Sequence, residues 1–320
     1  MALHYAQVWE PELLEILMQG TLTSPFVTSN VKWLNAKDFH FTQMSVSGFK
    51  NHNRNGGWNK GSYAQTDLVY TVTHDRDVSF LVDKADVDET NATASIQNIS
   101  KVFEQTQVVP ETDALFFSKV AQAAQKVTGY HSSTASSDYT KANVFSKLKG
   151  FLAAGKLRRY KANGSLIMYV SSAIMDLLEL STEFTRKIEM TQIAEGGMGI
   201  ETRVTDIDGV TLMEVVDDER FYDSFNWEVE EGGFAPVKKD TGKSVTGSHK
   251  INVLIACGQT CKTVPKISSI YYFDPGTHTE GDGYLYQNRT LSDVFVFPNG
   301  KGGKVDSVYV DVDTTEYTEV

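Results

Sequence analysis

Between Phe39 and Asp83 the chain carries a β-ribbon too long for the body that bears it. Leu68, Tyr70, Val72 and His74 alternate with polar residues, and the same phase resumes at Val78, Phe80 and Val82, beyond the charged triplet Asp75-Arg76-Asp77. A period of two is the mark of a half-buried strand. At ~3.3 Å per residue a strand from Tyr63 to Val82 would extend roughly 65 Å, whereas a compact body of this size is about 50 Å across. The returning strand (Phe39, Phe41, Met44, Val46) is shorter, and the polar, Asn- and Gly-rich stretch Lys50 to Gly61 joins the two. Such an arm must project into solvent or lie on another molecule. Isolated two-stranded hairpins are marginal in water, which favours a partner surface.

The charge distribution narrows the choice of partner. The 320 residues carry 41 acids against 30 bases, a net charge of −11, which argues against a broad nucleic-acid footprint. Within that acidic total the hairpin tip has Lys50, Arg54 and Lys60 and no acid. The segment just beyond the arm has Asp83, Asp86, Asp88 and Glu89 against Lys84. Opposite charges on separate segments suit docking between copies of one protein. Met1 to Trp9 has no basic region followed by an apolar core, so it does not read as a signal peptide. No apolar run reaches the ~18 residues a membrane span needs.

The remainder reads as α+β. Residues 1–38 are expected to form an N-terminal arm with a short helix starting at Pro11. Ile96, Ile99, Val102 and Phe103, then Ala114 to Ala124, predict one helical rod over residues 90–127. Asp88 or Thr90 would cap it, and Pro110 would break or kink it at Val109. A third helix runs through Val144 to Leu152 and stops at Gly155; Ser165 to Val170 is a strand, and Ser172 caps a short helix. Ile200 to Val204 and Val210 to Val216 flank Asp208-Gly209, the signal of a type I′ hairpin. Strands at Ile251–Ala256, Ile267–Phe273, Tyr284–Phe297 and Val305–Val312 complete a β-rich second half. Helices and strands are segregated more than alternated, which excludes a doubly wound nucleotide fold.

Chemistry is sparse. Asp274, His278, Glu280 and Asp282 put a base and carboxylates on one loop, as a metal-dependent hydrolase would require, but Pro and Gly at that density mark a turn between strands. The acids at 83–89 lack the ligand order and central Gly of a calcium loop. Cys257 and Cys261 have no second pair to complete a zinc site and read as two reduced thiols. No nucleophile elbow, His-Glu-x-x-His or phosphate loop is present. The residues therefore give no catalytic group, metal site or cofactor. Trp58, beside Asn59, Lys60 and Arg54, suits either base stacking or a protein contact, and the setting favours the protein contact.

One order of strings goes further. A Gly-Gly-Trp tip precedes Thr73-His-Asp-Arg-Asp-Val-Ser-Phe80 and Val82-Asp-Lys-Ala-Asp-Val-Asp-Glu-Thr90. Val108-Val-Pro-Glu-Thr-Asp-Ala-Leu-Phe-Phe-Ser-Lys119 follows, then Asp208 to Arg220, Ile251 to Ile255 with Lys266, and Asp282 to Arg289 ahead of Asp293 to Val296. Over about residues 5 to 300 this resembles the major capsid proteins of tailed bacteriophages with the Hong Kong ninety-seven fold. The resemblance implies an N-terminal arm (1–38), an extended hairpin loop (39–83) and a peripheral domain with a spine helix (84–138). A β-rich axial domain (139–265) follows, then closing strands returning to the peripheral domain with a C-terminal tail (266–320).

It further implies a structural, non-enzymatic protein that assembles with itself into hexamers and pentamers of an icosahedral shell. The shell forms in the bacterial host cytoplasm and becomes the virion capsid. Lys50, Arg54, Trp58, Lys60, Asp83, Asp86 and Asp88 are then candidate intersubunit contacts. Other partners would be a portal, decoration proteins and packaged DNA held without sequence-specific contacts; no membrane is involved. The chain starts almost directly at the arm, so a separate scaffolding protein is expected. A bacterial nanocompartment shell of the same fold is the nearest alternative, and a hydrolase using residues 274–282 the next.

Overall fold

A computed structural model describes the chain except for residues 1–19, 29–32, 34, 36, 53, 55, 57, 90–95, 162–163, 182–188, 193–200, 231, 241, 244, 300–302 and 319–320. The helix expected at Pro11 lies outside the described residues.

The hairpin forms, but its long strand is broken. β1 (Asp38–Val46) pairs antiparallel with β2 (Tyr63–Thr71), from Asp38 opposite Thr71 to Val46 opposite Tyr63. Nine residues give an arm of roughly 30 Å before the tip. The continuous strand expected from Tyr63 to Val82 stops at Thr71, and β3 (His74–Asp83) joins a different sheet. Residues 72 and 73 change partners. The Val72 N–H donates to the Lys37 carbonyl, and its side chain is fully buried. The Thr73 N–H (3.0 Å) and hydroxyl (2.8 Å) both donate to the Asp293 carboxylate. Within β3 the period of two does run through the charged triplet: the even positions, Arg76 included, are half-buried and the odd ones exposed.

After β3, α1 (Lys84–Glu89) begins with the Ala85 N–H donated to the Asp83 carboxylate at 2.8 Å. Asp86, Asp88 and Glu89 belong to this helix, and the segment 90–95 that links it to the rod lies outside the described residues. The rod itself comprises α2 (Ile96–Phe103), a π-helical turn (Glu104–Val108) and α3 (Val109–Gln125). It is not broken at Val109. Pro110 has no N–H for the carbonyl four residues back, and the wider π turn takes up that mismatch.

Two sheets use the rod as a shared wall. In the first, β12 (Cys261–Phe273), β13 (Gly283–Val296) and β3 lie in that order, all antiparallel. Phe80 of β3 meets Phe103 of the rod edge-to-face at 5.3 Å. The second has seven strands: β4 (His131–Ser133), β14 (Tyr309–Glu316), β11 (His249–Cys257), β5 (Leu166–Ser171), β8 (Val210–Val215), β7 (Glu201–Ile207) and β6 (Glu189–Gln192), in that spatial order. One face of it packs on α3 through Phe116, Phe117, Val120 and Ala124. The other packs on α4 (Val144–Leu152), α5 (Arg158–Lys161) and α6 (Ser172–Glu179).

The last strand departs from expectation. β14 lies inside the seven-stranded sheet, between β4 and β11, and does not close the smaller one. Val308, Val310 and Val312 feed the α3 face and Tyr309 the other, so the segment is buried on both sides as an interior strand must be. The β7–β8 turn is as read: Asp208 (φ 55°) and Gly209 (φ 80°) both adopt the left-handed region. Gly155 also has φ +51°, and a Cβ there would stand 2.5 Å from the Tyr130 ring. Ser172 does not cap α6; its hydroxyl donates to the Val215 carbonyl while Ser171 occupies the cap position. Two short strands, β9 (Phe225–Asn226) and β10 (Ala235–Pro236), pair across a loop beside the rod.

At the middle of the rod, Asp113 is fully buried. It accepts from the Leu22 N–H (3.0 Å), the Thr23 N–H (3.2 Å) and hydroxyl (2.7 Å), and the equally buried Arg220 guanidinium (3.1 Å). Removing one partner of such a pair leaves an uncompensated charge in the core. Asp113→Ala is therefore expected to cost about 3–5 kcal/mol in urea unfolding. A loss below ~1 kcal/mol, the range of exposed pairs, would show that the pair is solvated.

Candidate intersubunit contact surface

Among the described residues the hairpin is fastened to the body at its root. Phe39, 1% exposed, packs against Tyr70 (5.6 Å), Trp33 (5.6 Å) and Phe295 (5.1 Å), while Phe41 stacks on Phe297 at 4.5 Å. The Gln43 amide donates to the Pro298 carbonyl at 3.2 Å. Those β1 side chains are at odd positions and share one face of the ribbon, with Tyr70 and Leu68 paired opposite. On the other face, the Asp38 carboxylate accepts from the Thr71 hydroxyl at 2.6 Å and from Asn35 at 3.4 Å. These bonds, the first foremost, hold Asp38 below the usual carboxylate range. Their contribution is complete above that range and fades as pH falls through the lowered value.

Beyond Gln43 the apolar side chains change face. Met44 and Val46 stand at even positions, with Tyr63 directly opposite Val46, and the three are 66%, 76% and 79% exposed. At the tip the Ser47 N–H donates to the Ser62 carbonyl (2.8 Å) and the Asn59 amide to the Asn51 carbonyl (2.9 Å). Phe49 and Trp58 are almost wholly exposed, and Lys50, Arg54 and Lys60 are exposed beside them. An apolar side of this kind rimmed by charge marks a contact site. Met44, Val46, Phe49 and Tyr63 were not singled out from the sequence. The signal was there: the apolar positions shift from odd Phe39 and Phe41 to even Met44 and Val46, on the opposite face of the ribbon.

The fold gathers Lys50, Arg54, Trp58 and Lys60 at one end of the ribbon. Asp83, whose carboxylate accepts from the Ala85 N–H, forms no ion pair with these tip residues among the described residues. Asp83 is exposed at the end of β3, and Asp86 and Asp88 lie in α1.

The loop from Asp274 to Asp282 is the turn between β12 and β13. The His278 Nε2 donates to the Gly283 carbonyl at 2.7 Å, and Nδ1 accepts from the Glu280 N–H at 3.3 Å. Both ring nitrogens thus serve the turn in a single tautomer, leaving no free base. Among the described residues no group of three or more His, Cys, Asp and Glu could hold a metal. Cys257 and Cys261 are buried free thiols, and burial pushes Cys261 up to about 12. A cavity of about 520 Å³ lies between β3, the π turn and the 232–233 loop, and Glu111 is the centre of its charged wall. There Glu111 holds both His74 (2.9 Å) and Arg76 (2.9 Å), and Arg76 also donates to the carbonyls of Trp227 and Gly233. No described helix is long and apolar enough to cross a membrane.

No family model and no curated protein matches the sequence. Solved structures do match the fold, almost end to end. The asymmetric unit of the bacteriophage PhiM1 mature capsid aligns with a TM-score of 0.62 at 13% identity, over 98% of this chain and 93% of that one. The capsid structure of Cyanophage P-SCSP1u gives 0.60 at 10% identity, over 98% and 94%. Mycobacterium phage Adephagia gives 0.58 at 11%, over 98% and 96%. The chain therefore has the mixed α+β Hong Kong ninety-seven-type fold seen in phage capsids.

Because residues 50–61 touch little of their own body, replacing them by a short Gly-Ser turn should leave circular dichroism and the melting temperature almost unchanged, within the ~0.5 kcal/mol usual for surface changes. A collapse of the melting transition would show that the tip packs on its own chain.

Proposed function

We propose that this chain is a major capsid protein of a tailed bacteriophage, a structural protein that assembles with itself into the hexamers and pentamers of an icosahedral shell around phage DNA. The observation that carries this reading is the hairpin. Its root is locked into the body by aromatic packing, while its outer half leaves Met44, Val46, Phe49, Trp58 and Tyr63 largely exposed. On a free monomer that surface costs hydration free energy at about 25 cal/mol per Å². On a neighbour it becomes the contact. The fold shared with capsid chains supports another copy as that neighbour.

In this reading the seven-stranded body is the axial domain, the rod with its three-stranded sheet is the peripheral domain, and the hairpin lies across an adjacent subunit. The basic tip residues Lys50, Arg54 and Lys60 then meet the acids Asp83, Asp86 and Asp88 of that neighbour, with Trp58 as the apolar anchor. A separate scaffolding protein, a portal and decoration proteins complete the particle, which assembles in the host cytoplasm. The acidic coat leaves packaged DNA without sequence-specific contacts.

The purified protein, alone or with its scaffold, should form rings, shells or aberrant sheets by negative-stain microscopy. Sedimentation showing only monomer in both cases would overturn the proposal. The tip–acid contact has its own test. Exposed pairs contribute only ~0.2–1 kcal/mol each, so they govern rate and register more than final stability. Arg54→Glu with Lys60→Glu should block assembly, and adding Asp86→Lys and Asp88→Lys should partly restore it. Normal assembly by the first pair would mean that the tip docks through Trp58 and backbone contacts instead.

A further inference from the structure

Away from the hairpin, the body carries a second and larger separation of charge. Between residues 141 and 161 the chain has seven Lys and Arg and no acid, in a protein whose net charge is −11. Between residues 217 and 231 it has seven carboxylates against the single Arg220. The fold puts these stretches on opposite faces of the seven-stranded sheet. Residues 141–161 hold α4 and α5, whose Val144, Leu148, Leu152 and Tyr160 pack on the face lined by Met168, Val170 and Ile255. Residues 217–231 follow β8 on the α3 face, where Phe221 lies 4.9 Å from Phe117 and Trp227 packs against the same core.

On the basic face Lys141, Lys156, Arg158 and Arg159 are exposed, and among the described residues none has a carboxylate within ion-pair distance. Lys149 and Lys161 already share Asp208, at 3.5 and 4.0 Å. On the acidic face Asp218, Glu219, Glu228 and Glu230 are exposed, and of these Asp218 is met by Lys250 at 3.2 Å.

We infer that the α4–α5 face of one copy docks on the 217–231 face of the next, a head-to-tail contact between axial domains. The inference rests on the reading of this chain as a self-assembling shell protein. A contact between two different faces of one chain is heterologous, and repeated about an axis it closes a ring. Both of its halves are on this chain, and their charges are opposite and similar in number. A polyanion such as duplex DNA would account for the basic face alone and leave the acidic one without a purpose. Complementary faces of this kind raise association rates and fix register more than they raise affinity. The contact should weaken as the Debye length shrinks from ~10 Å at tenth-molar salt to ~3 Å at molar salt.

The test uses two variants of the full chain: Arg158→Glu with Arg159→Glu, and Glu228→Lys with Glu230→Lys. All four residues are exposed, so melting temperatures and circular dichroism should match the wild type. Each variant alone sets like charges face to face, and its ring yield by sedimentation velocity and negative stain should fall by roughly tenfold or more at low salt. Mixed in equal amounts, the two should assemble again, because each reversed face then meets an opposite one, in rings that alternate the variants. Wild-type yields from either variant alone, or a mixture no better than its components, would overturn the inference while leaving the capsid reading standing. So would assembly at wild-type yield by Arg158→Glu with Arg159→Glu if that variant had lost binding to a 30-base-pair DNA duplex, used here as probe. A wild type that stays monomeric in every condition would overturn both.

Discussion

The buried carboxylate of Asp113 ties together parts of the chain that would otherwise have no reason to meet. It sits in the second turn of α3, and the donors it accepts come from elsewhere: two backbone amides and a hydroxyl from Leu22 and Thr23, and a guanidinium from Arg220. Tyr169, in β5 of the large sheet, adds its hydroxyl to the Leu22 carbonyl at 2.9 Å. One anion therefore fixes an early segment, the rod, and the turn that leaves β8. Ions are seldom buried unless paired, because desolvation costs several kcal/mol each. Here the geometry satisfies the carboxylate on both oxygens, and Arg220 is completed by Asp217 at 2.8 Å. The reward is specificity of position: a hydrophobic contact at that point could slide along the rod, whereas four-point hydrogen bonding cannot.

A second polar junction does for the small sheet what Asp113 does for the large one. Glu111, two residues before Asp113, receives His74 and Arg76 from β3, and Arg76 reaches on to the carbonyls of Trp227 and Gly233. The rod is thus clamped to both sheets within one helical turn, directly after the π turn. Wider helical geometry there leaves the first part of the rod, Ile96 to Phe103, to follow the three-stranded sheet through Phe80 and Tyr286. The later part, Leu115 to Ala124, follows the seven-stranded one. The proline that cannot continue the α-helical ladder marks the place where one rod changes the sheet it serves.

Much of this was legible in the sequence, and the losses have physical causes. The hairpin, the rod, α4 and the Asp208-Gly209 turn were readable because each rests on local rules: a period of two, a period near 3.6, and a turn needing two left-handed residues. The break at Val72–Thr73 was not readable. The apolar phase continues across it, and what ends the strand is Asp293, some two hundred residues away, which takes the Thr73 amide and hydroxyl. The interior place of β14 was hidden similarly: Tyr309 to Val312 reads as a short apolar run whichever sheet receives it. At the surface, charge on the tip was visible, but the apolar half was not recognised. Met44, Val46 and Tyr63 look like ordinary strand residues until the register shows that their face of the ribbon turns away from Phe295 and Phe297.

An arm of this kind raises a question of restraint. A projecting ribbon with free edges and exposed apolar side chains is a template for uncontrolled pairing, and proteins that carry one must blunt it. This chain does so by composition and by partition. The tip is rich in Asn and Gly and carries only positive charge, so two tips repel and do not stack. The apolar residues are spread along one face of about 30 Å, never concentrated in a run that could zip with its own copy. The opposite charges, at 83–89 and at 217–231, are held on other segments of the chain. In the proposed assembly like parts would therefore avoid each other, and unlike parts would attract only weakly, at tenths of a kcal/mol per exposed pair. Weak, separate contacts of the proposed kind would let a misplaced subunit leave. A closed assembly engages several at once on every copy, and their sum then holds what none of them could hold alone.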